Sequence, residues 1–296
     1  MTNGPFFSIV IPTYNRGSLI PFTLNSILEQ IYFDFEIIIV DDGSTDNTQK
    51  VIVPYLADQR VHYYNIKNSE RGAARNYGVK QSKGRYVTFL DSDDIFFPWH
   101  LKTAHEKISE NSSLPIFHLA YVILHPDGRT DSIPPLPSPV NEKLLEGNFL
   151  SCMGVFLQRE VAIENPFDED RNLSGSEDYE LWMRIAAKMP IVTFKEVTSQ
   201  LINHSARSVI TTDTKKLVAR IDLLDQKLNA YPFFVQRFGA KKEKFGSYRT
   251  LYLALHLAIS GKRWLAFKSL MYTFYLYPYV LFTYRFAVVC KKIILW

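Results

Sequence analysis

Residues 1–210 predict an α/β domain on a mostly parallel sheet flanked by helices, and three observations carry that prediction. Short apolar runs alternate with segments of helical spacing. The runs over 6–12, 35–40 and 86–90 are nearly continuous in apolar residues, as in strands buried on both faces. Each run is followed by a polar cluster: Thr13-Tyr14-Asn15, Asp41-Asp42 and Asp91-Ser92-Asp93. Ligands of such sheets bind beyond the carboxyl ends of the strands, so three polar strand ends mark one rim as the working face.

In chain order, the run Phe-Phe-Ser-Ile-Val-Ile-Pro is a strand closed by Pro12. Ile20, Leu24, Ile27, Leu28 and Ile31 recur at helical spacing. After the second strand, Asp41-Asp42-Gly43-Ser44-Thr45-Asp46 is a turn able to cap a helix over 47–56. A short strand over 61–64 and a helix over 71–82, ended by Lys83-Gly84, lead into the run that delivers Asp91, Asp93 and Asp94. Beyond it the spacing predicts a helix over 98–109, a strand over 116–124 and a turn at His125-Pro126-Asp127-Gly128. A Pro-rich connection follows, then strand or loop over 149–158 and a helix over 159–164. A polar loop over 167–176 precedes a helix opened by Glu177-Asp178, and a short strand spans 191–194. Residues 204–208 read as a loop, and 211–238 as one long polar helix with Pro232 near its end. Helices over 244–259 and 262–275 form a hairpin across Ser260-Gly261, and 279–294 form one more.

The charge distribution separates this tail from the body. From Lys241 onward there are ten basic residues and one acid, Glu243, so the tail carries +9 of a chain total of +4 and the remainder carries −5. Residues 269–284 are uncharged and rich in Tyr and Phe, but shorter than the ~20 residues of a spanning helix and interrupted by Pro278. Basic flanks around an aromatic run fit an anionic membrane surface better than nucleic acid. Cys152 and Cys290 lie far apart with no metal or redox spacing, which fits a reducing compartment. The N-terminus lacks the pattern of a signal peptide.

The chemistry concentrates on carboxylates. Asp91 and Asp93 share a face if the extended backbone continues, and two such carboxylates repel unless a cation lies between them. Hard oxygen ligands at this spacing suit Mg²⁺ or Mn²⁺. Glu177 and Asp178 fall in the first turn of their helix, where the helix dipole alone also favours acids.

Taken together, Ser8-Ile9-Val10-Ile11-Pro12-Thr13-Tyr14-Asn15-Arg16, Val40-Asp41-Asp42-Gly43-Ser44-Thr45-Asp46, Ala73-Ala74-Arg75-Asn76-Tyr77-Gly78, Gly84 to Asp94 and Glu177-Asp178-Tyr179-Glu180-Leu181-Trp182 resemble the family-2 inverting glycosyltransferases of GT-A fold. The likeness covers about residues 6–210. It departs at Ser69-Glu70, where relatives often carry glycines. The resemblance implies a nucleotide-sugar donor, most simply a UDP-sugar, with Mn²⁺ or Mg²⁺. By position it implies that Pro12, Thr13, Tyr14 and Ser92 line the nucleotide pocket and that Asp42 reads the base edge with Asp41 beside it. It further implies that Arg75 lies near the diphosphate, that Asp91 and Asp93 meet the metal, that His204 meets the metal or the diphosphate, and that Asp178 is the catalytic base beside Glu177.

The expected organisation is therefore a GT-A domain over 1–210, with a nucleotide-binding half over 1–95 and an acceptor half over 96–210, then a helical extension over 211–296. The expected protein is a cytoplasmic transferase held peripherally on the inner face of the membrane, with a glycan or lipid-linked glycan acceptor, as an oligomer of itself or alone. Such an enzyme would serve polysaccharide, O-antigen or glycolipid synthesis. Two other readings stay open. A nucleotidyltransferase would want a Gly-rich, basic loop after the first strand, where this chain has Thr13-Tyr14-Asn15-Arg16. A non-catalytic sugar-nucleotide binding or scaffold protein would not need both the acidic pair and Asp178.

Overall fold

A computed structural model describes residues 4–111, 114–204 and 213–295. It divides into two compact units. The first is built on one mixed sheet. Strands β1 (Phe7–Thr13), β2 (Phe35–Asp41), β3 (Val61–Asn65) and β4 (Tyr86–Phe89) lie parallel in the order β3-β2-β1-β4. All residues of β1, β2 and β4 are buried, which is why their sequences run apolar without alternation. The connecting helices are α1 (Ile20–Leu28), α2 (Thr48–Ile52) and α3 (Glu70–Gln81). The approach of α3 to the sheet is close: a Cβ on Gly78 would stand 2.3 Å from Val10 Cγ1, so no larger residue fits the existing backbone.

The second half of this sheet is not parallel throughout. Beyond β5 (Ile95–Phe96) and α4 (His100–Glu110) come β6 (Ile116–Leu124), β7 (Thr130–Ser132), β8 (Val155–Gln158) and β9 (Val192–Ile202). β8 pairs antiparallel with β4 and β6, β9 pairs parallel with β6, and β5 pairs antiparallel with β9. β6 and β7 form a hairpin at the expected turn, with Gly128 at φ 82°. Helix α5 (Arg159–Glu164) and the first half of α6 (Glu177–Lys188), to Trp182, complete this unit's helices.

Two imidazoles lie wholly inside the first unit. His100 stacks on Phe96 at 3.7 Å between centroids and shares a 2.8 Å hydrogen bond between Nδ1 and Thr198 Oγ1. His118 packs beside Gly154, where a Cβ would stand 2.5 Å from its Nε2. Burial pulls both pKa values from 6.5 down to about 3. Both side chains fold neutral, while the unfolded chain takes up protons below about 6.5. Their contribution to stability is thus full above that value and lost as pH falls from about 6.5 toward about 3. Each tenfold difference in proton affinity is worth about 1.4 kcal/mol. Thermal unfolding followed from neutral to mildly acidic pH should show a falling midpoint, and His118→Phe should flatten that fall. A profile unchanged by the substitution would contradict the assignment.

The second unit comprises α7 (Thr214–Asn229), α8 (Pro232–Phe238), α9 (Lys242–Ile259), α10 (Arg263–Leu276) and α11 (Tyr284–Leu295), with Asn141–Phe149 and Met183–Met189. The single helix expected over 211–238 is two helices, because Pro232 cannot continue the hydrogen-bond ladder and starts α8 instead; residues 211–212 lie outside the described residues. The expected hairpin is present, turning at Gly261 with φ 73°. Tyr248, Leu251, Ala254, Leu270, Val280 and Val289 form the core of this unit. Lys244 pairs with Glu146 at 2.9 Å, tying α9 to the 141–149 segment. Residues 278–282 form a 3₁₀ turn before α11, where one helix over 279–294 was expected. No helix among the described residues is long and apolar enough to cross a membrane.

Candidate active site

The strand register places the three polar strand ends together. Thr13 is the direct partner of Asp41, and Leu90 N–H donates to Val10 O at 3.0 Å. The loops after β1 and β2 interlock. Asp42 N–H donates to Thr13 O at 2.8 Å, Asn15 N–H to Ser44 Oγ at 2.9 Å, and Thr45 N–H to Asn15 Oδ1 at 2.8 Å. Asn15 has φ 51°, a conformation that Asn tolerates better than most residues. Pro12 and Thr13 are buried in the wall of this rim, and Tyr14 is 45% exposed at its edge. Thr13 Oγ1 has no hydrogen-bond partner within the described protein. Ser92 is buried.

Asp41 and Asp42 differ in what they hold. Asp41 is fully buried and accepts from Ser44 N–H at 2.8 Å and Tyr63 O–H at 2.7 Å. Through these bonds it shapes the turn that carries Asp42. Asp42 accepts from Ser69 N–H at 2.6 Å and Glu70 N–H at 2.9 Å, and from Asn68 Nδ2 at 3.2 Å. It therefore caps α3 from another element. Burial pushes its pKa up against these backbone hydrogen bonds, and the net direction is upward. The cap also explains the departure at Ser69-Glu70. Glu70 has φ 73°, the conformation for which a glycine is suited, and the Asp42 hydrogen bonds hold it there.

The acidic turn after β4 brings carboxylates together. Asp91, Asp93 and Asp94 each offer a ligand oxygen, and these lie within 4.8 Å of one another. His204, expected in a loop, follows β9 directly, and its Nε2 lies 3.0 Å from Asp93 Oδ2. Residues 205–208 of that loop lie outside the described residues. Arg16 Nε stands 3.6 Å from the same Asp93 oxygen, a contact with no spacing signal in the sequence. Hard carboxylate oxygens with one imidazole fit Mn²⁺ or Mg²⁺.

Arg75 joins this turn to α6. Its Nη2 donates to Asp91 Oδ1 at 2.7 Å and its Nη1 to Glu177 Oε1 at 2.9 Å, and the side chain is 2% exposed. Its guanidinium also lies over the Phe167 ring at 5.2 Å. Arg75 is thus a buried brace between two carboxylates. Burial acts to lower its pKa, but the Asp91 and Glu177 carboxylates act the other way and the net direction is up, so it stays charged. Glu177 also accepts from Gly175 N–H at 2.6 Å and faces Arg71 Nε at 3.8 Å. Burial raises the Glu177 carboxyl, yet Arg71 and Arg75 outweigh it and hold it below its usual range. The two acids at the start of α6 are therefore different: Glu177 is buried in ion pairs, and Asp178 is only partly buried. Cys152 is buried nearby, and burial drives its thiol pKa well up.

Residues 8–163 match the family model described as Glycosyl transferase family 2. The chain belongs to that family. A glycosyltransferase of Rickettsia conorii described as uncharacterized is 29% identical over 77% of this transferase, which spans only 38% of the length of that relative. The Escherichia coli protein UDP-Glc:alpha-D-GlcNAc-diphosphoundecaprenol beta-1,3-glucosyltransferase WfgD is 30% identical over 60% of the transferase and 68% of its own length. Among solved structures, S. aureus TarS 1-349 in complex with UDP-GlcNAc superposes with a TM-score of 0.67 at 19% identity, covering 91% of the transferase and 81% of that TarS 1-349 chain. The mannosyltransferase PcManGT from Pyrobaculum calidifontis, in complex with GDP-Man and Mn²⁺, gives a TM-score of 0.56 at 16% identity, over 98% and 86% of the two chains. The fold is GT-A, with a mixed sheet, flanking helices and a helical C-terminal region.

Proposed function

We propose that this transferase moves a sugar from a UDP-sugar to an acceptor hydroxyl with inversion at the anomeric carbon. The observation that carries the reading is the Arg75 bridge, which ties the acidic turn at Asp91 to the start of the helix bearing Asp178. Asp91, Asp93 and His204 would hold a divalent cation, which when bound neutralises the charge building on a diphosphate leaving group. Pro12, Thr13, Tyr14 and Ser92 line the nucleotide pocket, and Asp42 accepts from the pyrimidine ring N–H through lone pairs its backbone partners leave. Asp178 removes the proton of the acceptor hydroxyl as that oxygen attacks the face opposite the leaving group. One base and one displacement invert the centre. Residues 1–210 carry this chemistry, with the nucleotide half over 1–95 and the acceptor half over 96–210.

The test is turnover by the purified protein across UDP-, GDP- and dTDP-sugars with Mn²⁺. Release of the nucleotide from a UDP-sugar, abolished by chelator, is expected. Nucleotide binding without turnover of any donor or acceptor would favour a scaffold, and pyrophosphate release from a nucleoside triphosphate a nucleotidyltransferase.

The same reading places the protein peripherally on an anionic membrane, on the cytoplasmic side, beside a lipid-linked acceptor in polysaccharide or glycolipid synthesis. WfgD, whose name gives a diphosphoundecaprenol-linked acceptor, supports that class. So does the second unit. Ala266, Leu270 and Thr273 are the buried residues of α10, while Trp264, Leu265, Met271, Tyr272 and Tyr275 are exposed around Lys268. Phe282 and Tyr284 follow at 88% and 85% exposure. A helix apolar on both faces fits an interface better than water. Exposed Lys262, Arg263 and Lys291 supply cations worth about 1 kcal/mol each at an anionic surface. Full-length protein should float with vesicles containing anionic lipid at low salt, and the Trp264→Glu, Phe282→Glu double variant should stay in solution. Indifference of the wild type to such vesicles would refute the membrane reading and leave a second copy of the chain as the occupant of this face.

A further inference from the structure

Asp94 is the third carboxylate of the acidic turn, and its oxygen lies within reach of those of Asp91 and Asp93. Its surroundings differ from theirs. It is 3% exposed, and its Oδ1 accepts from the backbone N–H of Ile202 at 2.9 Å. The position of that bond in the sheet is informative. β5 pairs with β9 through Ile95 opposite Gln200 and Phe96 opposite Ser199, and Phe97 N–H continues the ladder to Thr198 O at 2.9 Å. At the other end the backbone cannot continue, because Asp94 N–H turns back to Asp91 O at 3.0 Å. The Asp94 side chain reaches across and satisfies the next N–H of β9 in place of backbone. On the far side of β9, Asn203 N–H donates to Leu124 O at 2.8 Å. The Asp94 backbone is itself fixed, since its carbonyl accepts from the buried Thr23 Oγ1 at 2.9 Å. Two residues beyond Ile202 stands His204, with Nε2 at 3.0 Å from Asp93 Oδ2.

We propose that Asp94 is a positioning residue, not a third metal ligand: by holding the end of β9 it sets His204 against Asp93. The acidic turn then serves two ends. Asp91 and Asp93 face the cation, and Asp94 builds the strand end that brings the imidazole to them. This inference rests on the reading of Asp93 and His204 as cation ligands. What Asp94 supplies is a hydrogen-bond acceptor, which an amide oxygen also supplies. A ligand role would instead need its charge.

Asp94→Asn and Asp94→Ala separate the two. Both lose the same charge, so the difference between them does not report charge, and the His204→Ala background and the exchange of Ile202 N–H tie it to the acceptor. Mn²⁺ is titrated calorimetrically into full-length protein saturated with UDP, for each variant in the wild-type and His204→Ala backgrounds. Hydrogen exchange of residues 198–204 is followed without metal. Asp94→Ala should weaken Mn²⁺ binding about tenfold more than Asp94→Asn, the scale of an outer-shell partner of a metal ligand. That difference should vanish in the His204→Ala background, since the effect passes through His204. Ile202 N–H should exchange faster in Asp94→Ala than in Asp94→Asn. Equal losses in the two variants would overturn the proposal, as would a difference that persists in full without His204. If His204→Ala alone leaves Mn²⁺ affinity unchanged, the ligand reading of His204 fails instead. The hold of Asp94 on β9 is then judged by exchange alone, and equal exchange in the two variants overturns it. Should Asp94→Ala not fold, Asp94→Ser, too short to reach Ile202, takes its place in each comparison.

Discussion

Asp93→Asn should remove Mn²⁺-dependent transfer, by about a hundredfold or more, while the fold survives. Asp93 sits in a turn at the sheet rim, and its side chain is 10% exposed between His204 and Arg16. Asn keeps the shape and can still meet both partners, so the local structure is preserved. What it lacks is the negative charge needed where a cation must be held against a diphosphate. The cost then falls on the metal-bound state alone. Thermal unfolding of the metal-free variant should match wild type, whereas donor turnover at saturating Mn²⁺ should collapse. Full activity of Asp93→Asn in saturating chelator would sink the assignment.

Asp178→Asn should lower kcat by about a thousandfold, within the range for a general base, yet leave the donor dissociation constant within about twofold of wild type. Asp178 opens α6 beside Glu177, and it is the Glu177 carboxylate that accepts from Arg75 Nη1 at 2.9 Å. The substitution therefore leaves the brace intact and takes away proton acceptance. Glu177→Gln is its counterpart. With the anionic partner of a buried guanidinium removed, it should destabilise the protein by several kcal/mol. If Asp178→Asn lost donor binding and turnover alike, Asp178 would be a helix-start residue and not a base.

The N-terminal half was legible because its strands are buried on both faces and read as unbroken apolar runs, with their polar ends in register. The second half was less so. β9 runs from Val192 to Ile202, but a strand was expected over 191–194 only, because Lys195, Glu196, Thr198, Ser199 and Gln200 break the apolar pattern along it. Thr198 and Ser199 are nevertheless buried, which no local rule announces. The carboxylates of the site were legible as types at strand ends and at a helix start. Their partners were not. The Arg75 bridge spans 16 residues to Asp91 and 102 to Glu177, and side-chain pairing at such separations leaves no periodic trace. Asp42 capping α3 is a contact of the same kind, made across 27 residues to Ser69.

The most direct measurement sets the two variants side by side: UDP binding with and without Mn²⁺ by calorimetry, and sugar transfer on the same preparations. Asp93→Asn should bind UDP no better with Mn²⁺ than without it. Asp178→Asn should show the full Mn²⁺-dependent gain in binding and almost no transfer. The same pattern in both variants, whether both bind metal and donor normally or neither does, would contradict the division of labour between the acidic turn and the start of α6.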